Sequence, residues 1–304
     1  MRCPDSTMSL PADAPLNMEP SFRALAERYR VVFFDAYGVL KNSKGMIEGA
    51  GETLAALMDA GIDCYVITND ASRSLEAMAQ TYVHPQRGPL LPVDKIISSG
   101  MLASEFLSLK FGALEPSVAP GCVAYLGKPE SAYFIEAAGL QAVPLAEVSD
   151  AQQLLALAFL DDEGFDWNEG LTRAVNMLRR TNLTTLVANP DVSYPAGGGE
   201  VGVAVGSLAN MVERITRKTF LRFGKPDTQI FSFAYARLLS EYPDISKRDV
   251  LMVGDTLHMD ILGANQFGID TALVLSGNTR PDEVSRLVAA TSVIPTYICQ
   301  SIVG

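Results

Sequence analysis

Short apolar runs alternate along this chain with stretches whose apolar residues recur at helical spacing. Val31–Phe34 reads as a buried strand. A helix follows over Gly49–Ala60 and stops at Gly61, since glycine accepts the left-handed conformation that ends helices. Next come strand Asp63–Thr68, a helix that Ser72 caps and that runs through Met78, strand Lys95–Ser99 and helix Met101–Lys110. Near Glu115-Pro116-Ser117 the texture breaks. A new series opens with strand Cys122–Leu126, helix Ser131–Ala138, strand Leu154–Leu160, helix Glu169–Arg180 and strand Thr184–Ala188. A polar, glycine-rich loop then leads to helix Ser207–Lys218. Beyond it the first texture returns, with helix Asp227–Ser240, strand Val250–Val253, helix His258–Phe267 and strand Thr271–Leu275.

Alternation of this kind predicts an α/β fold with a parallel sheet, because parallel strands need helical crossovers. The economical division is an N-terminal extension over 1–26, a core made of 27–116 and 218–304, and a second α/β unit inserted over 117–217. Met1–Pro20 is polar, carries four prolines and reads as a loose extension.

Composition narrows the function. The net charge of −11 over 304 residues argues against a general nucleic-acid or anionic-membrane surface. It leaves room for an anionic small substrate, because a bound divalent cation reverses the local field. Four scattered cysteines without a CxxC pair, and only two histidines, speak against disulfides and against a Cys/His zinc site. No signal-peptide pattern and no run of eighteen apolar residues occurs, so the expectation is a cytoplasmic protein.

Candidate chemistry sits at strand ends. Asp35 closes the first strand, Thr68-Asn69-Asp70 the second, and Gly254-Asp255-Thr256 a later one, with Asp260 five residues on. Lys225 stands in Phe223-Gly224-Lys225-Pro226-Asp227, ahead of a helix. In a parallel sheet these ends share one edge, where open α/β folds place ligands. Two acids, a hydroxyl and a lysine suit magnesium-assisted phosphoryl transfer: one carboxylate attacks phosphorus, another holds Mg²⁺, and the remaining groups balance phosphoryl charge. Taken singly, each residue reads as structural; Asp255 could cap a helix and Thr68 could close a strand. Taken together and in this order, the four read as catalytic.

That ordered set resembles the haloacid dehalogenase (HAD) superfamily, whose four motifs follow this order on a Rossmann-like core. The inserted unit resembles the C2 cap of subfamily IIA, the NagD-like sugar and nucleotide phosphatases. Ile67-Thr68-Asn69, Ala188-Asn189-Pro190-Asp191, Gly224-Lys225-Pro226 and Val253-Gly254-Asp255 through Asp260-Ile261-Leu262-Gly263-Ala264 carry the likeness, which spans Phe22 to about Gly277. The resemblance implies a Mg²⁺-dependent hydrolase acting on a small phosphorylated metabolite. It implies Asp35 as nucleophile, Lys225 as its catalytic partner, and Thr68 with the N–H of Asn69 as phosphate binders. It further implies Asp35, Asp255, Asp260 and the carbonyl of Tyr37 as metal ligands, substrate-binding roles for Asn189 and Asp191, and a homodimer formed through the cap.

Tyr37 departs from the pattern, for family phosphatases usually carry Asp there as general acid and base. A phenol with an unperturbed pKa of about 10 substitutes poorly at neutral pH, and such help is worth about 10²–10⁴-fold in rate. Weakened turnover is therefore expected, with a non-catalytic binding protein of the same fold as the alternative. Phe34-Asp35-Ala36-Tyr37-Gly38 also resembles the first motif of 2-haloacid dehalogenases. That reading ranks lower, because Leu40–Thr68 holds no arginine for a haloacid carboxylate and Asp255 is retained. Gly197–Gly202 satisfies G-x-G-x-x-G but does not follow a strand, so it reads as a cap loop. Lys41 and Lys44 read as a solvated loop.

Overall fold

The computed structural model describes residues 17–112, 121–149, 153–197 and 200–303. Two parallel sheets organise them. In chain order the strands are β1 (Val31–Phe34), β2 (Asp63–Thr68), β3 (Ile96–Ser98), β4 (Cys122–Leu126), β5 (Gln141–Pro144), β6 (Leu154–Phe159) and β7 (Thr184–Val187). They continue as β8 (Ser193–Gly197), β9 (Glu200–Val203), β10 (Leu221–Arg222), β11 (Val250–Gly254), β12 (Asp270–Val274) and β13 (Tyr297–Cys299), with two further two-residue hairpins.

The first sheet has six parallel strands in the order β13-β12-β11-β1-β2-β3. Its centre is β1, whose four apolar residues are all buried, as a strand covered on both faces requires. Phe34 pairs with Val253 on one side and with Val66 on the other, so the carboxyl ends of β1, β2 and β11 finish level. The Asp35 N–H continues the ladder, donating to the Val253 carbonyl at 2.8 Å.

The second sheet has five parallel strands in the order β10-β7-β6-β4-β5 and comes from the inserted stretch. Helices Trp167–Arg180 and Val205–Thr216 place Leu171, Ala174, Val205 and Val212 in its own apolar cluster with Leu157 and Phe159. Its other side joins the large core: Tyr125, Leu160 and Ala188 share one cluster with β1 and β2. Both sheets thus turn carboxyl edges toward a common cavity.

Several details depart from expectation. The short third helix is Leu75–Ala79, capped by Ser74 rather than Ser72; Ser74 Oγ accepts from the Ala77 N–H at 3.2 Å. The Ser72 N–H instead donates to Asp70 Oδ1 at 2.9 Å. The glycine-rich stretch is not a plain loop: β8 and β9 form an antiparallel hairpin, although Gly198 and Gly199 at its tip lie outside the described residues. The segment read as helix His258–Phe267 begins with a wider π turn, Leu257–Ile261, before the helix Leu262–Phe267. Strands β5, β10 and β13 are unanticipated, being short, and β5 and β10 form sheet edges where pattern is weakest. Because Leu221 and Arg222 pair with Leu186 and Val187, the chain stays in the second sheet past residue 217. The opposite boundary, at 117, lies outside the described residues, as do 1–16 of the extension. From Asn17 onward that extension is held, not loose. Glu19 N–H and Ile298 N–H exchange backbone bonds at 2.8 Å with β13 and Asn17, and Phe22, Leu25 and Ala26 are buried.

Candidate active site

The level strand ends place Asp35 beside Asp255, and the π turn swings Asp260 back beneath both. One oxygen from each of Asp35, Asp255 and Asp260 lies within 4.8 Å of the others, and all three residues are buried. Lys225 enters from the turn before helix Thr228–Glu241. Its Nζ donates to Asp35 Oδ1 at 2.5 Å and to Asp260 Oδ1 at 2.6 Å. Asp260 Oδ2 accepts from the N–H groups of Asp255 and Thr256 at 3.1 and 3.0 Å. Asp255 is held by the Thr256 hydroxyl at 2.7 Å and the Asn278 N–H at 2.7 Å. Two glycines leave room for this packing: a Cβ on Gly38 or Gly277 would stand 1.9 or 1.8 Å from Asp255 Oδ2. Gly38 also sits at φ +82°, a left-handed conformation costly for other residues.

Electrostatics show why these groups belong together. Burial pushes Asp35 well above the usual carboxylate range, with Lys225 opposing and Asp260 and Asp255 adding to the rise. Burial and the neighbouring Asp260 push Asp255 up to about 7. Burial works against the Lys225 ammonium, yet Asp260, Asp35 and Asp191 outweigh it and hold its pKa above the ordinary lysine value. Three buried carboxylates face one ammonium. That deficit, in an all-oxygen donor set, fits a hard divalent cation such as Mg²⁺. The Tyr37 carbonyl accepts no hydrogen bond from the described residues.

Thr68 and Tyr37 line the cavity of about 430 Å³ above Asp35, with Asn189 and Asp191 from the insert. Thr68 Oγ1 accepts from the Asp70 N–H at 3.1 Å. Asn69 is wholly buried and acts as a clasp. Its Oδ1 accepts from the Lys225 N–H at 2.8 Å, while its Nδ2 donates to the Lys225 carbonyl at 3.0 Å and to Asp191 Oδ1 at 2.8 Å. Asn189 Oδ1 closes a local turn, accepting from the Asp191 N–H at 3.0 Å. The side chains of Asn69, Asn189 and Asp191 thus bond to the chain itself, while the contact expected of Asn69 is one through its backbone N–H.

Lys41 is the clearest correction. It is buried, not solvated, with Nζ 3.6 Å from Asp70 Oδ2 and 4.5 Å from the centre of the Tyr37 ring. Burial lowers its pKa, with Asp70 opposing. Sequence reasoning also passed over Asp70, Asn278, Tyr194 and the Asp161-Asp162 pair. Asn278 and the acid pair follow β12 and β6, so the strand-end rule that found Asp35 would have found them.

Comparison with known proteins bears on the family and the fold. Residues 32–141 match the family described as haloacid dehalogenase-like hydrolase, and residues 222–303 match one described as HAD-hydrolase-like. A crystal structure described as a possible sugar phosphatase of the HAD superfamily, from Cytophaga hutchinsonii, superposes with a TM-score of 0.86. It is 45% identical, over 95% of this chain and 99% of that one. Human chronophin is 30% identical across 93% of this chain and 94% of its own length. Chicken glycerol-3-phosphate phosphatase is 28% identical across 92% of each chain.

Proposed function

This chain belongs to the haloacid dehalogenase-like hydrolases, within the capped subfamily IIA phosphatases, and on that footing we propose that it is a Mg²⁺-dependent phosphatase working through an aspartyl-phosphate. The observation that carries the reading is Lys225 Nζ bridging Asp35 and Asp260 inside the three-acid cluster. Substrates are small phosphate esters of the sugar- or nucleotide-phosphate class. The sugar and glycerol-3-phosphate phosphatases among the relatives support that size and type.

Asp35 attacks phosphorus, forming a carboxylate–phosphorus bond as the ester P–O bond breaks. Lys225 keeps the Asp35 carboxylate oriented, and with Thr68 it balances charge on the phosphoryl oxygens. Asp35, Asp255, Asp260 and the Tyr37 carbonyl would hold Mg²⁺, which supplies further neutralisation of phosphoryl charge when bound. Water then hydrolyses the acyl phosphate and regenerates Asp35. Burial, chiefly, and the nearby Asp70 keep the Tyr37 phenol protonated above its ordinary range, so it is a poor proton carrier. The leaving oxygen takes its proton from water or a cap acid, and turnover is accordingly weakened. Residues 117–217, with the strand pairing that continues to Arg222, act as the cap over a core of 27–116 and 218–304. No helix of the described residues is long and apolar enough to cross a membrane, and the net charge of −11 works against binding to nucleic acid or to an anionic lipid surface.

Asp35→Asn is expected to abolish Mg²⁺-dependent phosphate release from 4-nitrophenyl phosphate. Unchanged release in that variant overturns the assignment.

A further inference from the structure

Asp191, from the insert, reaches the reaction centre through two other residues. Its Oδ1 accepts from Asn69 Nδ2 at 2.8 Å. The Asn69 amide grips the backbone of Lys225 twice, Oδ1 accepting from the N–H at 2.8 Å and Nδ2 donating to the carbonyl at 3.0 Å. Lys225 Nζ then bridges Asp35 and Asp260. Asn69 and Lys225 are only 1% and 2% exposed, so no water competes for these bonds. A carboxylate can only accept, so Asp191 fixes which way the Asn69 amide faces. The N–H and carbonyl of Lys225 demand the same orientation, and the three contacts agree.

Both ends of this relay are braced. On the insert side, Asn189 Oδ1 accepts from the Asp191 N–H at 3.0 Å. The next carbonyl, that of Val192, accepts from Ser207 Oγ at 2.7 Å and from the Ala204 N–H at 3.1 Å. Gly206 lets helix Val205–Thr216 close on this loop, since a Cβ there would stand 2.4 Å from the carbonyl oxygens of Pro190 and Asp191. On the core side Gly224 has φ +107°, and a Cβ on it would stand 2.2 Å from Asn69 Oδ1. The Phe223 N–H donates to the Val187 carbonyl at 3.1 Å, so the segment that carries Lys225 departs directly from the insert's sheet. A reacting group held within about 0.5 Å of its productive position needs supports that are themselves locked. Asp191, Asn69 and Lys225 have that character.

We propose that Asp191 is a positioning residue for the nucleophile. Seated against the core, the insert orients Asn69 through Asp191; Asn69 fixes Lys225, and Lys225 aims the Asp35 carboxylate at phosphorus. The inference rests on the phosphatase reading and adds to it a dependence of nucleophilic attack on the docking of the insert. Attack by Asp35 is common to every ester, so Asp191 governs its rate and not the choice of ester.

The test follows single-turnover release of the alcohol from two aryl esters, 4-nitrophenyl phosphate and 4-methylumbelliferyl phosphate, by excess Mg²⁺-loaded protein. Asp191→Ala should lower the saturated rate constant about 10–100-fold on both esters and change the half-saturating concentration less than about two-fold. The amplitude should stay complete, which separates misalignment from a misfolded fraction. Asn69→Asp, an isosteric change, sets two carboxylates against each other and should slow release similarly. Adding Asp191→Asn to it restores a donor and an acceptor and should recover about five-fold or more. That exchange decides the matter alone where Asp191→Ala does not fold. A loss confined to one ester or to half-saturation, or no recovery in the double variant, overturns the positioning role and leaves the phosphatase. Failure of the wild type to release either alcohol overturns both.

Discussion

Tyr37 concentrates the chemistry of this protein in one residue. Its backbone belongs to the loop that carries Asp35, and its carbonyl accepts no hydrogen bond from the described residues. Its side chain stands where the family resemblance leads one to expect a carboxylate, and it has neighbours of its own: Lys41 packs beneath the ring and reaches Asp70. A buried lysine between a phenol and a carboxylate is stable only because both partners are there. Tyr37→Asp is expected to raise kcat on 4-nitrophenyl phosphate by about 10²-fold, since it restores a group able to activate water. Steady-state kinetics check this, and no gain in kcat would show that water activation is already supplied elsewhere. Asp35 and Asp255 were recognisable because a lone acid after an apolar strand is conspicuous. The burial of Lys41 was not, because nothing local marks which lysine of Lys41-Asn42-Ser43-Lys44 turns inward.

At the scale of elements, loops after strands carry nearly every group in the cavity. The segment between β6 and helix Trp167–Arg180 shows the electrical consequence. Burial, then the neighbouring Asp161, push the Asp162 carboxyl up to about 6. A carboxyl whose folded pKa lies above its unfolded value binds its proton more tightly when folded. Its stabilising contribution is complete below about pH 4 and is lost as pH rises through about 6. Asp162→Asn, which cannot ionise, should therefore raise the Tm by a few degrees at pH 8 and leave it nearly unchanged at pH 4. Thermal unfolding followed at both values checks this, and an equal shift at the two pH values would contradict it. Most strands and helices were readable from periodicity, including β2 at its observed limits. Hairpin β8–β9 was not, because Ser193-Tyr194-Pro195-Ala196-Gly197 lacks alternation and contains a proline.

At the scale of the whole molecule, the site is an intersection. Asp35 and Asp255 come from adjacent strands, Asp260 from a π turn, Lys225 from beyond the insert, and Asp191 from the insert itself. Asn69 ties two of these parts, Lys225 and Asp191, with three hydrogen bonds of 2.8–3.0 Å. A cation bound between Asp35 and Asp255 would link β1 to β11 and favour the folded state by mass action. Millimolar Mg²⁺ should accordingly raise the Tm of the wild type, and Asp255→Asn should lose that shift; differential scanning fluorimetry reads it without any assay of turnover. An equal shift in the variant would place the ion elsewhere. The amino-acid sequence by itself determined the α/β class, the order of the strands along the chain and the acids at their carboxyl ends. Those follow from local periodicity and from the rule that parallel strands deliver their ends to one edge. Only the tertiary structure decided that the insert's strands turn their own carboxyl ends toward the same cavity. It likewise decided that Lys41 and Asp70 pair beneath Tyr37, and that Asn69 clasps Asp191. These are contacts between residues far apart in sequence, chosen by packing and charge balance in the folded chain, and no local pattern encodes them.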